Sequence, residues 1–290
     1  MAIIIGGTTG IDMGNTPVSN VKSADSSNDV VTALSTNITV NVGAGQTYTT
    51  INQALEYLSG FYPMYKKSGI TATINLKAGF VMAEQVLVSG IDLGWITIVG
   101  EDAETIITHT ALTTAFYGAD YPAYPAFGVD KGGTSPAIGQ LFRFNVEKVG
   151  ENKHGLMTLG AGSSANVLFG KGFIGAGMYG IVADNCSTIN AKGANCSNAG
   201  TYGIYAVNGS IINAVYANCS NAGMYGICAY HTGIINAVYA VVNNQTTGIA
   251  RVAVAAGSTI SIYGINATGG TVPVSSQAVN TLTGNGIIYG

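Results

Sequence analysis

Residues 115–128 read Ala-Phe-Tyr-Gly-Ala-Asp-Tyr-Pro-Ala-Tyr-Pro-Ala-Phe-Gly, with five aromatic side chains and two prolines in 14 residues. Aromatic faces stack on sugar rings, and prolines limit the entropy that a loop loses on binding. Phe116, Tyr117, Asp120, Tyr121 and Tyr124 are therefore the candidate glycan contacts, carried on a rigid projecting loop. The competing reading packs the same rings onto the body of the protein or across a subunit interface.

Catalytic groups are scarcer. Glycoside hydrolysis sets two carboxyl groups about 5 to 9.5 Å apart across the bond. From residue 151 onward the chain has Glu151 and Asp184 as its carboxylates, and Asp184, just before Asn185 and Cys186, reads as a turn residue. Glu101, Asp102 and Glu104 read as a solvated corner, while Asp120 and Asp130 flank the aromatic loop. A carboxylate pair shared between two subunits stays open. His109, His154 and His231 lie far apart without a neighbouring Cys or Asp, so neither a triad nor a metal site is indicated. No catalytic residue, metal ligand or cofactor is assigned, and the balance leans away from an enzyme.

The elements that would position these groups repeat. Tyr-Gly-Ile occurs at 179–181, 202–204 and 225–227, and Thr-Gly-Ile follows at 247–249, so the step between them is constant to within one position. Cys-Ser-Asn-Ala-Gly at 196–200 and 219–223 keeps the same step, as does Ile-Asn-Ala at 189–191, 212–214 and 235–237. Each repeat alternates small and β-branched residues with Gly, Asn and Ser corners, the pattern of short strands and tight turns. A repeat at fixed period is one coil of a stacked architecture. Coils of about 22–25 residues holding three strands predict a single-stranded parallel β-helix, each residue lying about 4.8 Å above its counterpart. Tyr179, Tyr202 and Tyr225 then form one ladder, Ile181, Ile204 and Ile227 a second, and Asn190, Asn213 and Asn236 an amide ladder. Ile74 is expected directly below Ile96, one coil on. Cys196 and Cys219, one period apart, are expected as a reduced stack, since four cysteines without C-x-x-C spacing indicate neither a disulfide scaffold nor a metal site.

Charge fits that plan. With 11 Lys and Arg and 14 Asp and Glu, only 9% of residues are charged; a charge at a repeated position would face its own like across adjacent strands. A net charge of −3 without a basic run argues against nucleic acid as a partner. The hydrophobic residues, 47% of the chain, never run to the ~18 in a row that a membrane helix needs. The N-terminus lacks a basic region ahead of its short apolar run, so secretion is not expected.

The domain plan is an extended arm over 1–40, a β-helix over 41–268 and a C-terminal strand segment over 269–290. Within the β-helix lie a helix at 50–58, the aromatic loop at 115–128 and regular repeats over about 156–265. Thr50 with Gln53 makes a capping box, Ile51, Ala54, Leu55 and Leu58 share one face, and Gly60 ends the helix. Its expected place is across the open end of the coils, where it shields unpaired strand edges.

Three runs carry a resemblance: Gly-Ala-Gly-Gln-Thr-Tyr-Thr-Thr-Ile-Asn-Gln-Ala-Leu at 43–55, Ile-Asn-Leu-Lys-Ala-Gly-Phe at 74–80 and Ile-Thr-Ile-Val-Gly at 96–100. Together they resemble the opening of pectate-lyase-like right-handed β-helices, a group that includes pectin methylesterases and bacteriophage tailspikes. With its low-charge coils and polar N-terminal arm the chain looks most like a phage tail fibre or tailspike, over roughly residues 43–265. The resemblance implies an all-β homotrimer that docks on the phage tail or baseplate through the arm and binds host surface glycan during adsorption. It also implies assembly in the host cytoplasm, a place in the virion and no insertion into a membrane. Binding without catalysis is the leading expectation. Capsule or lipopolysaccharide depolymerase or deacetylase activity comes second, and a bacterial surface adhesin of the same fold third. The esterase motifs of the family are missing here, and Arg251 and Lys192 are too isolated for lyase chemistry.

Overall fold

The computed structural model describes residues 32–63, 69–116, 122–145, 152–244, 252–254, 257–266, 281–283 and 286–289. They are mostly β, and apart from the antiparallel pair Thr281–Thr283 with Gly286–Tyr289 their strands pair in parallel from one coil to the next, as in a parallel β-helix. One long sheet carries Val86–Ser89, Tyr124–Asp130, Lys153–Leu159, Tyr179–Asp184, Tyr202–Ala206, Tyr225–Ala229 and Val252–Val254 in that order. A second sheet stacks Ser164–Asn166, Thr188–Asn190, Ile211–Asn213, Ile234–Asn236 and Thr259–Ser261, and Gly286–Tyr289 adds to its end. Single bridges joining Gly172, Asn195, Asn218, Val241 and Asn266 mark a third line of pairing.

Register follows the repeat. Tyr179 pairs with Tyr202 and Tyr202 with Tyr225, while Ile181, Ile204 and Ile227 form a fully buried column. The tyrosine rings stack at 5.1 and 5.5 Å. The amide ladder is displaced by one coil from its expected position. Asn190 donates to Asn166 at 2.8 Å and Asn213 to Asn190 at 3.1 Å. The Asn236 oxygen instead accepts the Val238 N–H, and the oxygen of Asn213 has no partner. A second rung of the same kind, Asn221 to Asn198 at 3.1 Å, lies outside the expected ladder.

The early coils are longer than the period suggests. Ile74 lies against Ile98, not Ile96, and Ala72 against Ile96. A slip of two keeps every side chain on its own face, whereas a slip of one would turn the core outward. That is why the pattern alone could not separate the two registers.

Inside the coils one continuous core runs from Val40 to Ile262. Its bulkiest buried side chains are Phe127, Phe142 and Phe173, with ring centroids 5.2 to 5.7 Å apart; later coils are filled mainly by Ile, Ala, Val and Cys. The helix Ile51–Ser59 forms as the capping box requires, with Ile51, Ala54, Leu55 and Leu58 buried. Glu84 accepts the N–H groups of Ile51 and Asn52 at 2.6 and 3.1 Å, so a carboxylate sits at the positive end of the helix. Gly60 keeps right-handed geometry at φ −73° and ends the helix without a left-handed cap. The strand Thr32–Leu34, inside the expected arm, pairs with Phe61–Pro63, so paired structure starts earlier than residue 41.

Candidate functional site

The first long sheet turns alternate side chains outward, and its middle coils carry a groove of about 430 Å³ on that face. Met157 and Val182 form part of the floor, Tyr179 and Tyr205 the aromatic wall, and Asp184, Asn208 and His231 the polar rim. The wall is a cluster: Tyr205 lies 5.1 Å from both Tyr179 and Tyr202, tilted to each by just over 50°. His154 lies 4.8 Å from Tyr179.

Corner geometry builds the rim. The three successive strands Tyr179–Asp184, Tyr202–Ala206 and Tyr225–Ala229 each lead to a tight turn with two consecutive residues at positive φ: Asn185 and Cys186, Asn208 and Gly209, His231 and Thr232. Asn followed by Gly is the pairing such turns favour. His231 and the β-branched Thr232, at φ 43° and 63°, hold that conformation at a steric cost. Strained backbone of this kind clusters at functional sites.

Along the rim runs a line of side chains, one per coil. The Asn208 amide donates to the Asp184 carboxylate at 2.8 Å, and the Asn208 oxygen lies 3.3 Å from His231 Nδ1. Burial raises the pKa of Asp184 above the usual carboxylate range, and the Asn208 bond offsets part of that rise. Burial likewise lowers His154 to about 3, which keeps its imidazole neutral, and raises the Tyr205 phenol. Apolar ring faces beside paired hydrogen-bonding groups suit a polyhydroxylated ligand. Among the described residues that line the groove, Asp184 is the one carboxylate.

Of the expected glycan contacts, Tyr117, Asp120 and Tyr121 lie outside the described residues. Phe116 anchors the root of that segment: its N–H donates to the Ala123 carbonyl at 2.8 Å, and its ring packs with Ala123, Met157 and Val182 on the outward face. Gly128 makes room for that ring, since a Cβ there would stand 2.8 Å from it. Tyr124 begins the strand Tyr124–Asp130, so the last part of the segment is sheet and not loop. The Lys153 ammonium lies 4.4 Å above the Tyr124 ring. Ala123, next to both, lines the groove, which puts the root of the aromatic segment at its edge.

Sequence reasoning read Asp184 as a turn residue, whereas it ends the strand Tyr179–Asp184, read His231 as an isolated histidine and did not single out Asn208, so the three were not joined. Each stands one coil from the next, and applying the period to polar residues as well as to Tyr-Gly-Ile would have found them. His109 stays apart from the groove, bound to Asn145 at 2.8 Å. Cys196 and Cys219 are buried free thiols, as expected. Among the described residues no three His, Cys, Asp or Glu side chains gather as a metal site, and no helix is long and apolar enough to cross a membrane. No protein-family model matches the chain, and no curated protein is significantly similar to it.

Proposed function

We propose that this chain is a phage tail fibre or tailspike that binds host cell-surface polysaccharide in the groove of its first long sheet. The observation that carries the binding reading is the pairing of the Tyr179 and Tyr205 rings with the Asp184–Asn208 hydrogen bond beside them. Phage origin rests on the sequence resemblance at 43–55, 74–80 and 96–100. In this reading the β-helix is right-handed, the helix Ile51–Ser59 covers its open end, and three copies associate. The arm attaches to the tail or baseplate, and Tyr117, Asp120 and Tyr121 contact the host glycan.

The test is binding of purified protein to capsule and lipopolysaccharide from susceptible cells, compared with Tyr205→Ala and Asp184→Asn. Affinity should fall about tenfold or more in each variant, the loss expected when a stacked ring or a paired hydrogen bond is removed. Undiminished binding by both folded variants would sink the groove reading. New reducing ends or released acetate in the same mixture would favour the depolymerase or deacetylase alternative.

A further inference from the structure

A second aromatic surface follows a different corner of the coils. After each second-sheet strand, or the equivalent segment, the chain makes a β-turn, at 168–171, 191–194, 214–217, 237–240 and 262–265. In all five the N–H of the fourth residue donates to the carbonyl of the first at 3.0 Å. The third residue always has positive φ: Gly170 73°, Gly193 68°, Tyr216 62°, Tyr239 57° and Gly264 65°. Glycine adopts that conformation without a steric cost, and a bulky residue there is an outlier. Two consecutive turns nonetheless hold tyrosine.

In the first and last turns an aromatic residue, Phe169 or Tyr263, stands one position earlier. The four rings form a line: Phe169 to Tyr216 is 6.4 Å, Tyr216 to Tyr239 5.2 Å with the planes 11° apart, and Tyr239 to Tyr263 5.7 Å. All four are exposed, Phe169 by 69% and Tyr263 by 61%. Backbone strain kept in order to display exposed rings indicates a use for those rings.

Charge narrows what they meet. Between residues 152 and 244 the cationic side chains are Lys153, Lys171 and Lys192, and the one carboxylate is Asp184. Lys171 is the fourth residue of the first turn, and exposed Lys192 is the second residue of the turn between Phe169 and Tyr216. Two of three cations thus lie on this corner, and the anion lies in the groove.

We propose that this ridge is a second binding site, for an anionic polysaccharide: the rings stack on successive sugars, and Lys192 with Lys171 meets their carboxylate groups. The site is independent of the groove and stands whether or not the groove binds glycan. The experiment is titration calorimetry of the full chain at low salt with an oligomannuronate, an oligosialic acid and, as a neutral control, maltohexaose. At least one anionic probe should bind, and maltohexaose should bind at least tenfold more weakly at the ridge. Tyr216→Gly with Tyr239→Gly should weaken the anionic probe at least tenfold, as should Lys192→Gln, and Lys192→Arg should preserve it. The glycine pair uses the residue that three of the turns already carry, and Lys192→Gln decides should that pair fail to fold. Failure of both anionic probes, or binding that survives the ridge variants, overturns the proposal. So does a lower sedimentation coefficient for the glycine pair, which would make the ridge a contact between copies of the chain.

Discussion

The side-chain amide of Asn208 donates to the carboxylate of Asp184 at 2.8 Å, although the two are far apart in sequence, because they stand on adjacent coils at one corner. This contact sets the chemistry of the groove rim. With its raised pKa, Asp184 holds its proton more tightly in the folded chain than in the unfolded one. Its favourable contribution is therefore complete below the unfolded pKa and is lost as pH rises through the folded value. Asp184→Asn should be neutral or stabilising at pH 7 while weakening glycan binding, which thermal melts paired with binding assays would check. A melt lowered by several degrees at pH 7 would count against it.

Asn208→Ala takes the donor away from a buried acceptor. The expected loss is about 1 to 3 kcal/mol, measured by denaturant unfolding. Asp184→Asn combined with Asn208→Ala should lose less than Asn208→Ala alone, because a neutral amide is cheaper than a carboxylate to leave without its partner.

His154 gives the opposite pH dependence. Its folded pKa of about 3 lies below its ordinary value of 6.5, so between those values the unfolded chain binds the extra proton. Stability should fall as pH drops from 6.5 towards 3, by up to about 1.4 kcal/mol per pH unit. His154→Phe should flatten that part of the acid-unfolding curve. Equal slopes for the two proteins below pH 6 would show that the imidazole does not stay neutral.

The ridge tyrosines predict an unusual balance. Replacing Tyr216 or Tyr239 by Gly relieves strain of about 1 kcal/mol and gives up a ring stack of similar size, so the net change should stay within about 1 kcal/mol of zero. A loss in chemical unfolding well beyond that range would make the rings part of the scaffold.

Gly155→Ala should destabilise by about 1 to 3 kcal/mol or more, since overpacking a filled interior forces backbone to move. A Cβ there would stand 2.4 Å from the Gly180 carbonyl oxygen and from Phe173. Phe173 stacks on Phe142 in the core and Gly155 adjoins His154 in the groove, so the variant should also lower glycan affinity. Denaturant midpoints and binding isotherms on one preparation would check both.

The sequence carried the period, and with it most of the fold. Tyr-Gly-Ile at constant spacing placed the tyrosine column and the isoleucine core beneath it, because in a stacked coil equal sequence position means equal place on the surface. The helix was equally legible from Thr50, Gln53 and its apolar face, all local features. The register of Ile74 was not, since pairing with Ile96 or Ile98 buries the same face. Nor was the end of the amide ladder, which depends on whether Asn236 bonds the coil below or its own turn.

The site was less legible for a related reason. An aromatic-rich run such as 115–128 stands out in any window, whereas Asp184, Asn208 and His231 are ordinary corner residues until the coils are stacked. Composition and spacing determined that this chain repeats, avoids charge and carries very few carboxylates. Only the tertiary structure decided which polar residues share a rim, which thiols and imidazole lose water, and which two tyrosines occupy glycine positions. Those outcomes depend on contacts between neighbouring coils and on the sign of φ at single turns.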